Sequence, residues 1–479
     1  MNLPTEIRYR RYEDWTEDEK NKIANNKEKS PWLATYHLEP KTGLLNDPNG
    51  FSYFNGQFQL FYQNWPFGAA HGLKQWVHTV STDLVHFQET GITLQPDHAN
   101  DSHGAYSGSA YEIDGKLFIF YTGNVRDTNW VRHPLQVGAL MDKDGHIRKI
   151  ETVLIPQPED VTEHFRDPQI FNYQGQFYAI VGAQNHQKEG FIKLYQARDN
   201  NVESWEFVGD LSFGGTGSEY MIECPNLVFV DGHPVLLYSP QGLDKAELSY
   251  DNIYPNTYKI CQSFDTKTAT LINPSPIQNL DYGFEAYATQ GFNAPDGKVY
   301  SISWIGLPDV DYPTDQYDYQ GAMSLVKELS IKDGKLYQYP VPAMKTLRST
   351  AQTLSNKRET QNCYELELTI PANDVSEILL FADDKENGLS ITVDTIKGNL
   401  VVDRSKAGEQ YTLDFGQTRH CTIDKTTTQL NLFIDKSIFE IFVNGGEKVF
   451  TGRVFPTHEQ TGITIKEGKI SGSYFELKV

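Results

Sequence analysis

The segment DGKLFIFY, residues 114–121, carries the pattern that decides the fold of this chain: an X-Gly pair followed by aromatic and aliphatic residues. The pattern recurs as NGQFQLFY (55–62), QGQFYAIV (174–181), DGHPVLLY (231–238) and DGKVYSIS (296–303). Glycine accepts the positive φ angle that a tight hairpin requires, and the apolar run is typical of a β-strand. Each copy therefore predicts a β-hairpin.

The copies are regularly spaced along the chain. Their glycines are separated by 59, 60, 57 and 65 residues, and about 60 residues accommodate four strands with their loops. We therefore predict an all-β protein whose residues 36–335 form a five-bladed β-propeller. A β-sandwich with coincidental spacing is the alternative, but regular steps over about 240 residues disfavour it.

The remaining chain divides into three parts. Residues 1–35 predict an N-terminal helical extension, with a helix over 9–28 that contains a capping box at Thr16–Glu19. Two prolines mark 336–351 as a linker, and the alternating strands of 352–479 predict a β-sandwich. This sandwich either covers propeller strands or mediates dimerisation, so both a monomer and a homodimer remain open.

Composition excludes several classes of partner. The 479 residues include 42 basic and 63 acidic side chains, a net charge of −21 that disfavours nucleic acids and anionic membranes. No run of about 18 apolar residues predicts a transmembrane helix, and the N-terminus lacks the apolar segment of a secretory signal. The four cysteines are scattered without metal-binding spacing. These features predict a cytoplasmic protein with reduced thiols and no metal.

Three acidic residues share one register relative to the hairpin glycines. Asp47, Asp167 and Glu223 stand nine, eight and nine residues before Gly56, Gly175 and Gly232. Each alone also fits a simpler interpretation: a turn, a surface ion pair or a buried acid in an apolar run. Because a repeat places equivalent positions around one axis, the shared register predicts that the three carboxyls converge. Converging carboxyls are typical of glycoside hydrolysis.

The motifs around these acids resemble the signature motifs of glycoside hydrolase family 32, the invertase and fructanase family. LLNDPNG (44–50), FRDP (165–168) and ECP (223–225) occur in the family's order. Further similar segments run almost to the end of the chain: YSGSA (106–110), LDYGFEAY (280–287), WIGL (304–307) and EIFVN (440–444).

The resemblance implies hydrolysis of terminal β-D-fructofuranosides with retention of configuration, by a propeller that carries a C-terminal sandwich and needs no cofactor. It implies that Asp47 is the nucleophile, Glu223 the acid/base and Asp167 the transition-state stabiliser. Arg166 would keep Asp167 ionised. It also implies the following sugar-binding residues: Asn46, Gln63, His71, Tyr106, Ser107, Arg166, Glu285 and Trp304.

The substrate that the resemblance implies is sucrose 6-phosphate, sucrose or both. The N-terminal extension, HGLKQWVH (71–78) and GNVRDTNWVRHPLQ (123–136) are similar to bacterial members of the family that act on the phosphorylated sugar. A phosphate on the glucose unit would require cations at the mouth of the pocket. Together with His71, the candidates are Lys74, Arg126, Arg132 and His133.

Four other functions remain open. The chain could hydrolyse short fructo-oligosaccharides, or transfer fructose to a sugar instead of water. An inverting arabinanase or xylosidase would also combine a five-bladed propeller with three acids, and it would need its carboxyls about 6.5–9.5 Å apart. A non-catalytic sugar-binding propeller would be expected to have lost an acid, whereas all three are present.

Overall fold

The computed structural model describes residues 3–479, of which strands make up 51% and helices 8%. The prediction of an all-β protein is therefore confirmed. None of the described helices is long and apolar enough to cross a membrane.

Five antiparallel sheets of four main strands follow one another over residues 43–340. Their strands in chain order are Gly43–Phe54, Gln57–Trp65, Gln75–Ser81 and Gln88–Leu94; Ala105–Ile113, Lys116–Arg126, Arg132–Met141 and Ile147–Lys149; Val161–Tyr173, Gln176–Asn185, Gly190–Ala197 and Trp205–Asp210; Met221–Val230, His233–Gln241, Thr257–Ile260 and Gln278–Asn279; Tyr287–Asn293, Val299–Ile305, Lys327–Lys332 and Lys335–Pro340. The short strand Tyr319–Gln320 pairs with the first sheet, Ala322–Met323 pairs with the fifth, and Ser263–Asp265 pairs with Thr270–Ile272.

The X-Gly pairs connect the first and second strands of all five sheets, as the sequence predicts. At Asp114–Gly115, for example, φ is 51° and 73°. Two consecutive positive φ angles define the tight hairpin turn whose twist matches that of the flanking strands. In the fifth sheet, only Gly297 of its pair has a positive φ, at 83°.

The first strand of every sheet is interrupted by a β-bulge at nearly the same distance from its hairpin. The shifts in register fall between Leu45 and Pro48, Ala105 and Gly108, Arg166 and Gln169, Glu223 and Asn226, and Tyr287 and Gln290. A bulge releases a residue from the hydrogen-bonded ladder and redirects its side chain. Each of the five first strands therefore contains residues outside the hydrogen-bonded ladder, at nearly the same distance from its hairpin.

Side-chain amides join these first strands to one another. Gln290 of the fifth sheet accepts from the backbone N–H of Phe51 at 2.7 Å and donates to the carbonyl of Gly108 at 2.9 Å. Gln169 of the third sheet accepts from the backbone N–H of Leu227 in the fourth sheet at 2.8 Å and donates to the carbonyl of the same residue at 3.0 Å. These bonds satisfy backbone groups of the first strands that have no partner strand on that side. The fifth sheet thus contacts the first and second sheets directly.

The C-terminal region consists of two six-stranded antiparallel sheets around a continuous apolar core. One sheet contains Gln352–Thr353, Cys363–Ile370, Thr428–Asp435, Ile438–Val443, Lys448–Arg453 and Ser471–Glu476. The other contains Lys357–Glu359, Val375–Ala382, Leu389–Asp394, Asn399–Asp403, Thr418–Thr422 and Gly462–Glu467. Alternating strand residues such as Leu366, Leu368 and Ile370 are buried in the core.

The N-terminal extension contains less helix than the sequence predicts. The α-helix covers Glu17–Lys27 rather than 9–28, because Thr16 adopts an extended backbone and caps it; the capping box with Glu19 is confirmed. A four-residue α-helix, Thr5–Arg8, precedes it. Short 3₁₀ helices cover Tyr12–Asp14, Ala99–Asp101, Arg198–Asn200, Pro313–Tyr317, Pro342–Leu347 and Leu413–Phe415.

A buried ionic cluster lies where residues 37–340 contact the C-terminal sheets. The His37 ring contacts Asp435 at 3.0 Å and Glu440 at 3.1 Å, and the Lys327 amine lies 3.3 Å from Glu440. Burial alone would lower the pKa of His37, but the hydrogen bonds that its ring makes to the two carboxylates raise it to about 9. His37 is therefore held as a cation between its two partners.

Candidate active site

One cavity of about 450 Å³ opens at the level of the bulges and collects most of the predicted site residues. Residues from the first strands of all five sheets line it, together with loop residues and the N-terminal extension. The predicted residues that line it are Asn46, Asp47, Gln63, His71, Lys74, Tyr106, Ser107, Arg126, Arg132, Arg166, Asp167, Glu223 and Trp304.

Asp47 occupies the bulge of the first strand, Gly43–Phe54. The Ser107 hydroxyl, from the bulge of the second sheet, donates to its Oδ2, and the Asn46 amide donates to its Oδ1 at 3.1 Å. Burial raises the pKa of Asp47, whereas the Ser107 hydrogen bond opposes that rise. These two donors hold the carboxylate in one orientation. The bulge of the first sheet supplies the acid, and the bulge of the second supplies the serine that donates to it.

Asp167 lies in the bulge of the third sheet, with φ at 66°. The backbone N–H of Cys224 donates to its Oδ2 at 2.9 Å. Burial raises the pKa of Asp167 to about 7, against the positive charge of Arg166 and with a further contribution from the Asp47 carboxyl. Arg166 thus favours the ionised form of Asp167, as expected, but burial has the larger effect on its pKa.

Glu223 is surrounded by polar donors rather than by the apolar residues beside it in sequence. Arg166 donates to its Oε1 at 2.8 Å, while Gln241 at 2.6 Å and the Tyr287 hydroxyl donate to its Oε2. Arg166 lies farther from Asp167, at 4.0 Å. The arginine therefore pairs mainly with Glu223, and Tyr287 fixes the second oxygen of that carboxyl.

Cys224 draws two of the acids together. Its thiol lies 3.6 Å from an oxygen of Asp47 and 3.6 Å from an oxygen of Asp167. The three atoms all lie within 4.8 Å of one another. Cys224 has φ at 48°, a left-handed conformation that costs a non-glycine residue energy. The bulge thereby turns its N–H and thiol toward the carboxyls.

The amides of Asn46 and Gln63 are hydrogen-bonded to each other beside Asp47. The Lys74 amine donates to Asn46 Oδ1 at 2.7 Å, and only 3% of the lysine is exposed. Burial lowers the pKa of Lys74 to about 7, although Asp47 acts in the opposite direction. Lys74 therefore lies buried in the cavity lining beside Asn46, rather than at the solvent-exposed mouth where the sequence placed it.

The position of Glu285 contradicts its prediction as a sugar-binding residue. Glu285 is 1% exposed and does not belong to the cavity lining. It accepts from Arg404 at 2.7 Å, from the Tyr411 hydroxyl and from the backbone N–H of Arg453 at 2.8 Å. All three donors belong to the C-terminal region: Arg453 to a strand, and Arg404 and Tyr411 to the loop that follows Asn399–Asp403. Glu285 therefore binds the two regions of the protein together.

The cation candidates separate into two groups. Arg126 and Arg132 line the cavity; Arg126 packs over the Trp130 ring at 5.0 Å and Arg132 over the Tyr106 ring at 5.4 Å. His133 is exposed outside the cavity lining and contacts Asp127 at 3.1 Å. The structure therefore brings the two arginines to the cavity and places His133 elsewhere.

Two aromatic rings define the wall opposite the polar cluster. Trp304 is buried and makes an edge contact with Tyr287, their ring centroids 6.3 Å apart. His71 is exposed at the opening and contacts Trp304 edge-on at 6.4 Å. An apolar ring beside hydrogen-bonding groups is suited to a sugar, whose faces are apolar and whose edge is polar.

Several lining residues were not predicted from the sequence. They are Arg8, Tyr9, Trp130, His164, Cys224, Gln241, Tyr254, Tyr287 and Asp309. Tyr287 could have been predicted from the repeat. Counting back nine and eight residues from Gly297, as for the three acids, gives Ala288 and Thr289, which directly follow Tyr287. No repeat position marks Arg8 and Tyr9, which belong to the N-terminal extension.

Consecutive antiparallel sheets that bring three carboxyls into one sugar-sized cavity define a class of protein, the all-β glycoside hydrolases. Residues 37–340 match the family model "Glycosyl hydrolases family 32 N-terminal domain" and residues 339–479 match "Glycosyl hydrolases family 32 C terminal". The chain belongs to glycosyl hydrolase family 32.

Similar proteins cover the whole chain. A sucrose-6-phosphate hydrolase of Streptococcus mutans is 70% identical over 478 residues, 100% of both chains. The structure of sucrose-6-phosphate hydrolase from Lactobacillus gasseri is 43% identical, with a TM-score of 0.97 over 100% of this chain and 99% of that one. A Bombyx mori GH32 β-fructofuranosidase is 27% identical, with a TM-score of 0.84 over 98% and 99%.

Proposed function

We propose that this protein is a β-fructofuranosidase that hydrolyses sucrose 6-phosphate to fructose and glucose 6-phosphate, and that it also accepts sucrose. The observation that carries the proposal is the convergence of Asp47, Asp167 and Glu223 in one cavity. The full-length similarity to proteins described as sucrose-6-phosphate hydrolases supports the substrate. Short fructo-oligosaccharides are the less favoured alternative.

The reaction begins when Asp47 attacks the anomeric carbon of fructose and forms a fructosyl ester. Ser107 and Asn46 orient the attacking carboxylate. Glu223 protonates the departing glucose oxygen, so that the glycosidic bond breaks as the ester forms. It then removes a proton from the water that hydrolyses the ester, and retention of configuration follows from the two displacements.

Asp167 and the amides complete the fructose half of the site. Asp167 holds fructose hydroxyls and stabilises the positive charge that develops on the sugar ring. Asn46 and Gln63 bind further hydroxyls, and Trp304 packs against the apolar face. In this arrangement Arg166 and Tyr287 position Glu223 rather than contacting the reacting bond.

The architecture within which this reaction takes place is a closed five-bladed propeller followed by a sandwich. The first strands of consecutive sheets lie beside one another, and the fifth lies beside the first, which supports closure. The sandwich covers the propeller through Glu285 and His37. A cytoplasmic location fits the four unpaired cysteines. Either a monomer or a homodimer is compatible with a site built within one chain.

A substrate panel tests the proposal. Sucrose 6-phosphate, sucrose, raffinose, kestose and inulin would be compared by kcat/KM, with product configuration followed by NMR. Asp47→Asn should abolish turnover of every substrate, since the neutral amide cannot form the ester; Asp114→Asn, at an exposed hairpin turn, is the control. Substantial residual activity of Asp47→Asn with retained configuration would refute the nucleophile assignment, and net inversion would refute the retaining mechanism.

A further inference from the structure

Three arginines line the cavity without a carboxylate partner. They are Arg8, Arg126 and Arg132, and within residues 3–479 none of them forms an ion pair. The chain has 63 acidic and 42 basic side chains, so free cations gathered in one place depart from its overall charge. By contrast, Arg166 in the same cavity is paired with Glu223. Unpaired guanidinium groups facing a cavity indicate an anionic ligand.

Arg8 reaches the cavity from the N-terminal extension. Its Nε donates to the carbonyl of Leu3 at 3.1 Å, and its Nη1 donates to the carbonyl of His71 at 3.0 Å. Among the described residues, its Nη2 has no acceptor. Two bonds therefore fix the plane of the guanidinium while part of its donor set remains available, which is the geometry that suits a phosphate group.

The extension is attached firmly enough to hold a site residue. The backbone N–H of Leu73 donates to the carbonyl of Arg8 at 2.7 Å. Any side chain at Gly72 would place a Cβ 2.6 Å from that same carbonyl, so glycine is needed for the close approach. The Tyr12 hydroxyl also donates to the carbonyl of Leu73 at 2.7 Å.

Aromatic rings connect the three arginines into one cluster. Tyr9 meets Trp130 edge-on at 5.0 Å, and Arg126 lies over both rings, 5.9 Å from Tyr9 and 5.0 Å from Trp130. Burial, and then the neighbouring Tyr106, raise the pKa of Tyr9 to about 12, so its hydroxyl keeps its proton. Tyr9 can therefore donate to an anion beside the arginines.

We infer that the N-terminal segment, residues 3–15, forms part of the leaving-group subsite, and that Arg8 acts with Arg126 and Arg132 to bind the phosphate monoester of the sugar leaving group. The inference rests on the proposed function and assigns part of its phosphate specificity, that of Arg8 and Tyr9, to a segment outside both family-model matches. Arg8 would contact the phosphate directly, and Tyr9 would donate to it from the same segment.

Arg8→Ala and Arg8→Lys test the inference, with Arg10→Ala as the matched control. Arg10 belongs to the same segment, but it pairs with Glu19 at 2.8 Å and does not line the cavity. For Arg8→Ala we expect kcat/KM for sucrose 6-phosphate to fall about 10- to 100-fold while kcat/KM for sucrose changes less than about twofold. Arg8→Lys should lie between, and Arg10→Ala should resemble the wild type.

A second measurement follows binding without turnover. The inhibition constant of glucose 6-phosphate should rise in Arg8→Ala by a factor similar to the loss in kcat/KM, while that of fructose stays constant. If the wild type prefers the phosphorylated sugar but Arg8→Ala keeps that preference, or loses activity on both sugars equally, the inference is wrong and the proposed function stands. A wild type without preference for the phosphorylated sugar would overturn the inference alone, whereas a wild type that does not hydrolyse sucrose 6-phosphate would overturn the proposed function as well.

Discussion

Lys74 is a buried lysine whose charge acts on Asp47, the proposed nucleophile, and Lys74→Met removes that charge while keeping an apolar side chain of similar length. The lysine amine donates to Asn46 Oδ1, and Asn46 donates in turn to Asp47. The positive charge also lowers the pKa of Asp47, against the larger effect of burial. The substitution therefore removes one orienting bond and one source of carboxylate stabilisation.

The size of the effect follows from these contacts. A hydrogen bond from a charged donor contributes about 1.5–3 kcal/mol, which corresponds to about a 10- to 150-fold loss in kcat/KM. The pKa of Lys74 is about 7, so the amine is charged below that pH and neutral above it. The ratio of wild-type to Lys74→Met kcat/KM should therefore be largest below pH 7 and fall as the pH rises through it.

The assay is the pH dependence of kcat/KM on sucrose from about pH 5 to about pH 9 for both proteins. The acid limb of Lys74→Met should lie at higher pH, since Asp47 loses a neighbouring cation. Lys259→Met is the control, because that lysine is also buried but donates to the carbonyl of Gly214 at 2.6 Å, outside the cavity. A ratio that stays constant across the pH range would show that Lys74 is only a packing residue.

Two predictions concern the contact between the propeller sheets and the sandwich. Glu285→Gln should lower stability by about 3–5 kcal/mol, since it leaves Arg404 buried without its charged partner, and KM for sucrose should stay constant; a raised KM with unchanged melting temperature would restore Glu285 to the sugar site. For His37→Gln, the loss in melting temperature relative to wild type should be greatest below about pH 6.5, where the ordinary His is also charged, and shrink as the pH approaches about 9. The lowered pKa values of Asp435 and Glu440 act oppositely: their contribution is lost on acidification. A difference in melting temperature that is independent of pH would contradict the charged state of His37.

The features that could be predicted from the sequence are those set by residues close to one another along the chain. The X-Gly hairpins need only two residues with positive φ, and the acids lie at a fixed distance from them, so Asp47, Asp167 and Glu223 could be identified by counting. The same count explains the error at Glu285, which stands twelve residues before Gly297 instead of eight or nine. Its similarity to a family motif outweighed its position outside the register.

The residues that were missed are those set by contacts between distant segments. Arg8 approaches the cavity through Gly72 and Leu73, and nothing in its own sequence context marks it. Lys74 was predicted as a phosphate-binding cation at the cavity mouth, and its burial beside Asn46 was not anticipated. The pairing of strands within the first sheet brings its amine to Asn46. Long-range packing of this kind has no local signature.

The bulges give each repeat a position that serves no role in its sheet. A residue released from the ladder can be exchanged with little penalty to strand pairing, so mutation can explore new chemistry at that position while the scaffold is inherited unchanged. The residues at these bulges differ between the repeats: Asp47, Ser107 and Asp167 lie within the bulges of the first, second and third sheets, whereas Glu223 and Tyr287 are the last paired residues before the bulges of the fourth and fifth. Side chains in the cavity can therefore be changed one repeat at a time, and the residues at the five bulges are the first positions to vary in order to obtain a new sugar specificity.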